Sequence, residues 1–487
     1  MAGDAGGRST PPRVSASGRW LVLGIGLLAL ARVVVAARIP VIDDEAYYWL
    51  WSRHLALSYL DHPPLVAWLD ALTTAAGRTG WLLRLPAMLA TLATTALLYL
   101  LGRDLFDAQA GRRVAALHLA VPIFALQAVD AIPDPLLYAW WALGLWAFWR
   151  AVHGSPRLWW LCGAALGFGV LSKYPMIVLL AAALGVLSRP PYRRWWRTPG
   201  PYTAGILAAV LAAPVLVWNA RHGWASLVFW LHAGGAQGPP GGNPRGWGVL
   251  ANTAVQLAYG GPLLFPAMLW ALWRSWREGR RDERFAFLAL AGFPTLLIVA
   301  LGGLLGVDRP NWAAPAYLAG VLALGALWPP RWARAAFAST LALSLAVLAL
   351  LPFVPALPPA LRWDELYGWR EVTAEVVRRA DALGDPGHVL LVGQRYNQAA
   401  YFGYYAPDRL PASTARWSAF SFWAPPHRFA GWQGIAAVDA RDAVGALRRD
   451  CARLLEQPPY TVPFAGGGGR TFRLFHCVGY RGTPRAP

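Results

Sequence analysis

Lysine is all but missing from this chain, and charge of either sign is scarce. Lys173 is the sole lysine among 44 basic residues, the rest being arginine. Only 14% of the 487 residues are charged and 56% are hydrophobic, where ordinary soluble domains carry about 25% charged residues. That balance excludes an ordinary soluble globular protein. Cysteine is limited to Cys162, Cys451 and Cys477, with no C-x-x-C spacing, so no zinc site is legible. No G-x-x-x-x-G-K-[ST] loop occurs, and no strand-borne G-x-G-x-x-G, so nucleotide-binding loops are also missing. The formal charge of +19 sits in short arginine-bearing loops between apolar runs. There it marks membrane topology, and no nucleic-acid partner is implied.

What the chain does have is long apolar runs, at 20–37, 85–102, 114–129, 135–149, 202–218, 285–305 and 335–353. A bilayer crossing takes roughly 20 apolar residues. The fold class expected is a polytopic α-helical membrane protein with about eleven spans: 20–38, 84–102, 112–129, 135–150, 158–171, 175–188, 202–218, 247–273, 285–305, 312–328 and 335–353. The first run is long, and an acidic loop follows it rather than a small-residue cleavage site, so it reads as a span and not a signal peptide. Arginines collect in alternate loops, for example Arg103, Arg112 and Arg113, or Arg274, Arg277, Arg280, Arg281 and Arg284. The remaining loops are acid-rich or weakly basic. Positive loops stay in the cytoplasm, which places the N-terminus inside and, after eleven spans, the C-terminus outside.

Residues 1–353 therefore read as a transmembrane domain with an interfacial first outer loop, 40–83. Residues 354–487 read as a small soluble α/β domain after a proline-rich linker. "HVLLVG", "GIAAVDA" and "TFRLFHCVGY" are strand-like; "RYNQAAYFGYY" and "DAVGALRRDCARLL" are helix-like. An extracytoplasmic position would permit a Cys451–Cys477 disulfide. Cys162, in an apolar run, reads as a small buried residue.

The densest acids lie in the first outer loop, "VIDDEAYYWLWSRHLALSYLDHPPLVAWL", residues 41–69. Asp43, Asp44 and Glu45 open an aromatic segment whose rings suit an interfacial helix. Helix capping explains one acid, not three with Asp61 and His62 following. Other ionisable groups fall on the same expected face: Asp130 and Asp134, Lys173, Arg221 and His222, Asp308 and Arg309. Each has a plain explanation alone, as a cap (Asp134), a snorkelling lysine (Lys173) or a solvated loop (His62, Arg221). Their convergence on one face points to function. On that face no ATP is at hand, so an activated substrate must arrive in the membrane, and a polyprenyl-phosphate-linked sugar meets that need. A carboxylate would act as general base on an acceptor hydroxyl. A fixed cation such as Lys173 would stabilise the departing phosphate. Paired acids could also hold a divalent cation through waters, although no ligand set demands one.

The stretches "DDEAYYWLWSRHLALSYLDHPPLVAWL", "PDPLLYAWWAL", "LSKYPM", "PYTAGILAAVLAAPVLVWNARHGWASLVFW", "PNWAAPAYLAG", "GWREVTAEV" and "GQRYNQAAYF" resemble the integral-membrane GT-C glycosyltransferases of the dolichyl-phosphate-mannose–protein mannosyltransferase type. The bacterial branch, glycosyltransferase family 39, includes relatives of the aminoarabinose transferases. The resemblance implies a catalytic acid in the first outer loop, here Asp44 and Glu45, with Asp44 as base and Asp43 beside it. With the residues read above, the substrate-binding candidates are Asp43, Asp61, His62, Asp134, Lys173 and Arg221. Aminoarabinose transferases carry acid-Lys-Pro-Pro in this loop; here it is Asp61-His62-Pro63-Pro64. Histidine is only partly charged near neutral pH, which shifts phosphate binding toward Lys173. The partners implied are a polyprenyl-phosphate sugar donor, a lipid, glycan or protein acceptor, and membrane lipid. Two other classes fit the composition: a transporter or flippase of a lipid-linked sugar, and a scaffold whose outer domain binds a partner. A transporter would commonly show paired inverted repeats, and none is evident.

Overall fold

The computed structural model describes residues 16–236, 245–304, 310–328, 331–358, 366–385 and 387–483. Asp308 and Arg309 lie outside the described residues.

Apolar runs become helices because in lipid each backbone amide must be satisfied within its own segment. Among the described residues, Gly80–Leu105, Gly200–Arg221, Glu283–Gly303 and Trp332–Ala356 are each long and apolar enough to cross a membrane. Three bent helix pairs raise the four to seven. The remaining expected runs form shorter helices, such as Pro133–Val152, Trp159–Ser172 and Ala314–Leu327, packed into the same bundle.

Two expected spans are not continuous. The run 112–129 is split into Ala108–Ala120 and Pro122–Gln127, because Pro122 has no N–H to carry the ladder on. The run 247–273 breaks at Gly261, and its halves bend by 94°. Gly261 adopts φ +88°, and a Cβ there would meet the Thr340 side chain at 2.5 Å. Only glycine fits both the backbone and the space.

After helix Ala16–Arg38 the chain turns by 82° into helix Asp43–Arg53. Its Tyr47, Tyr48, Trp49, Leu50 and Trp51 are all buried. They join one apolar core with Val372, Val389, Leu391, Phe402 and Leu474 of the C-terminal α/β region. Each such side chain contributes about 1.5–3 kcal/mol by burial. The contact is close: a Cβ on Gly403 would meet Leu50 at 2.9 Å.

The C-terminal region holds a five-stranded sheet: β1 (Val389–Val392), β2 (Ala412–Ser413), β3 (Gln433–Asp439), β4 (Cys451–Pro463) and β5 (Gly469–Tyr480). Strand order is β2-β1-β3-β5-β4. The β1 pairs are parallel; β3–β5 and β4–β5 are antiparallel. The expected helix over 442–455 is corrected. Helix Gly445–Asp450 is short, and β4 starts at Cys451. Pairing of Cys451 through Pro463 with β5 overrides the local helical pattern. A Cys451–Cys477 disulfide links β4 to β5, and Cys162 is free.

Candidate active site

Five of the sequence-selected residues share one cavity of about 260 Å³: Asp44, Asp61, His62, Asp134 and Lys173. The volume is near the lower end for small-molecule sites. Asp44 lies in the first turn of helix Asp43–Arg53. Asp61 and His62 come from the loop that Pro63 and Pro64 close before helix Leu65–Thr73.

Asp134 lies in the first turn of helix Pro133–Val152, one residue after a proline at the first helical position. It is not the cap residue, which is Ile132. Lys173 follows the last residue of helix Trp159–Ser172 in extended backbone, φ −160° and ψ 137°. Its Nζ donates to Asp134 Oδ2 at 2.6 Å, and Asn311 Nδ2 donates to Asp134 Oδ1 at 3.1 Å. Both members of the ion pair are about 5% exposed. A buried pair of this kind is costly to break, because either partner alone would be an uncompensated charge. An ammonium has three donors, so one bond to Asp134 leaves two for a ligand.

Asp44 faces the α/β region. Its Oδ1 accepts from the Tyr396 hydroxyl at 2.9 Å. Burial pushes the Asp44 carboxyl up from 3.8 to about 7, and Asp43 adds to the rise; Tyr396 and Lys173 oppose it. Asp61 is likewise pushed up to about 7 by burial, opposed by the Tyr47 hydroxyl. Tyr47 in turn accepts from the Ala419 amide at 2.7 Å. The Trp230 indole donates to the Asp61 carbonyl at 3.0 Å, and His62 lies between the Tyr48 and Trp230 rings. The cavity thus combines two carboxyls poised near neutrality, one ammonium and aromatic walls.

The other selected residues lie elsewhere. Both oxygens of Glu45 are taken: Oε1 by Arg84 Nε at 2.7 Å and the Ala131 amide at 2.9 Å, Oε2 by Arg84 Nη2 and the Ile42 amide. Arg84 also bonds the carbonyls of Ala36, Ile39 and Pro40. Glu45, expected with Asp44 as a catalytic acid, does not line the cavity; it clamps the ends of three segments. Asp43 is also outside the cavity lining, and its amide donates to the Tyr401 hydroxyl. Arg221 lines a separate cavity. Residues not selected from sequence complete the site, notably Tyr396, Asn311, Trp230 and Trp312. Tyr396, Asn311 and Trp312 lie in the stretches "GQRYNQAAYF" and "PNWAAPAYLAG", and Trp230 ends "PYTAGILAAVLAAPVLVWNARHGWASLVFW", all quoted above as wholes without a role for these residues. Among the described residues, no three His, Cys, Asp or Glu side chains converge as metal ligands.

The family described as dolichyl-phosphate-mannose-protein mannosyltransferase matches residues 61–218. The lipid A galacturonosyltransferase RgtD of Rhizobium johnstonii is 29% identical over 386 residues, 75% of this chain and 77% of that protein. An undecaprenyl phosphate-alpha-4-amino-4-deoxy-L-arabinose arabinosyl transferase of Pseudomonas aeruginosa is 33% identical over 174 residues, 34% of this chain and 31% of that one. The crystal structure of ArnT from Cupriavidus metallidurans in the apo state superposes with a TM-score of 0.64 at 15% identity, covering 95% of this chain and 99% of that one. The same protein bound to undecaprenyl phosphate gives 0.58 at 16% identity, with the same coverage. The chain thus shares the fold of these ArnT structures. Over part of its length the chain is similar to the dolichyl-phosphate-mannose-protein mannosyltransferase family, to a lipid A galacturonosyltransferase and to aminoarabinose transferases.

Proposed function

We propose that this chain transfers a sugar from a polyprenyl-phosphate donor to an acceptor hydroxyl at the outer face of the cytoplasmic membrane. The observation that carries the reading is that Asp44 and Lys173, from distant segments, line one buried cavity. Asp44 is the base. It takes the acceptor proton as the acceptor oxygen bonds to the anomeric carbon. The bond from that carbon to the lipid phosphate breaks, and the phosphate leaves with the electron pair. The two free donors of Lys173 face the charge that grows on the phosphate, where a low dielectric strengthens them. His62, on the same cavity wall, adds a ring N–H donor. Asp61 orients the acceptor, and Asp134 holds Lys173 in place as a positioning residue.

The names of the relatives support an undecaprenyl-phosphate donor and a lipid A acceptor. Arginine placement supports a cytoplasmic N-terminus and an extracytoplasmic α/β region, where a disulfide persists. The test is reconstitution in liposomes with an undecaprenyl-phosphate sugar and lipid A, read by mass spectrometry. Glycosylated lipid A from the wild type and none from Asp44→Asn is the result expected. Full product from Asp44→Asn would remove the base and the mechanism with it.

A further inference from the structure

A second cavity, of about 420 Å³, opens beside the first and is large enough for a small-molecule site. Three segments build walls of both. Tyr59 lines the second cavity and Asp61 the first. Trp218 and Arg221 line the second, while Phe229 and Trp230, on the next helix, line the first. In the α/β region, Trp417 and Ser418 face the first, Phe422 and Trp423 the second. Two hydrogen bonds brace the segment between them: Ser226 Oγ donates to the Tyr59 carbonyl at 2.9 Å, and the Tyr59 hydroxyl to the Trp51 carbonyl at 2.9 Å.

The lining is an aromatic platform with a cation. His54 stacks on Trp423 at 5.0 Å and an interplanar angle of 6°, and Trp218 stacks on His222 at 4.3 Å. Arg221 makes no ion pair among the described residues, and no carboxylate lines the cavity. Leu55 and Leu57, 60% and 40% exposed, stand at its edge. Flat aromatic faces suit sugar rings, a planar guanidinium suits a phosphate or carboxylate, and exposed leucines suit the first methylenes of acyl chains.

We infer that this second cavity seats the anionic saccharide headgroup of the acceptor, beside the cavity that holds Asp44. The inference rests on the proposed transferase reading and adds to it the side from which the acceptor comes and the charge it carries. Arg221 is then a specificity-determining residue for the acceptor anion, and Trp423 a platform for its rings.

Equilibrium binding to the full chain in nanodiscs, without donor, tests this directly. The probes are three acylated glucosamine disaccharides: one phosphorylated, one bearing a uronic acid, one neutral. Arg221→Gln should weaken the phosphorylated or the uronic probe about tenfold and leave the neutral one unchanged; the probe that loses more identifies the native anion. Arg221→Lys should restore part of the loss, and Trp423→Ala should weaken all three. Undecaprenyl-phosphate binding, measured alongside, should not change. Wild-type affinity for all three probes in both Arg221→Gln and Trp423→Ala overturns the inference, as does failure of the wild type to bind any of them. Binding is read without turnover, so the transferase reading stands or falls separately, on liposome product formation.

Discussion

The Tyr396 hydroxyl donates to Asp44 Oδ1 at 2.9 Å, joining residues 352 positions apart. One belongs to the C-terminal α/β region and the other to the first turn after the first long helix. The α/β region therefore builds part of the wall of the cavity that holds Asp44. Tyr401, Tyr405 and Ala419 make three further bonds to the same loop.

Tyr396→Phe removes the bond that holds the Asp44 carboxyl below where burial alone would put it. The rising limb of the pH–rate profile should move to higher pH by about one unit, the equivalent of a hydrogen bond to a charged group at about 1.5 kcal/mol. Rates at high pH should approach those of the wild type. An unshifted limb would separate Tyr396 from the protonation state of Asp44.

Asp44→Asn should lower single-turnover transfer by about 10²–10⁴-fold, the range for loss of a general base, with donor affinity kept. Glu45→Gln should act differently. It leaves Arg84 short of its buried partner, so the expected loss is about 3–5 kcal/mol of stability. Thermal melting in detergent separates the two: a lowered Tm for Glu45→Gln and little change for Asp44→Asn.

Lys173→Met strands Asp134 in a buried site and should also cost about 3–5 kcal/mol. Adding Asp134→Leu should recover much of the Tm, because no lone charge remains, but not the transfer rate. Recovery of both would make the pair purely structural.

The Asp44 and Asp61 carboxyls, raised from 3.8 to about 7, set the pH response. Activity needs ionised Asp44, so kcat/KM should climb as pH rises through about 7. Stability should run the other way. Between 3.8 and about 7 the folded state keeps protons that the unfolded chain has lost. Stability is therefore fullest at the acid end of that window, falls as pH rises through it, and levels off above. Melts across that range, with Asp44→Asn and Asp61→Asn as flatter controls, check the sign.

Cys451→Ser with Cys477→Ser opens the link between β4 and β5 and should cost about 2–4 kcal/mol. Limited proteolysis of the α/β region should become faster.

Apolar run length, arginine-bearing loops and the strand-like stretches were enough to establish a helical membrane protein ending in a small α/β region, because bilayer thickness and side-chain periodicity act locally along the chain. The same logic picked out Asp44, Asp61, His62, Asp134 and Lys173, since ionisable groups in apolar surroundings stand out against them. It could not separate Asp44 from Glu45. Adjacent residues on a helix point in different directions, and only the packed structure decided that one meets a cavity and the other Arg84. Tyr396 and Asn311 look like ordinary polar residues in sequence; their part depends on folding contacts hundreds of residues apart. The bend at Gly261 and the start of β4 at Cys451 were settled the same way, by the Thr340 side chain and the β5 strand packed against them.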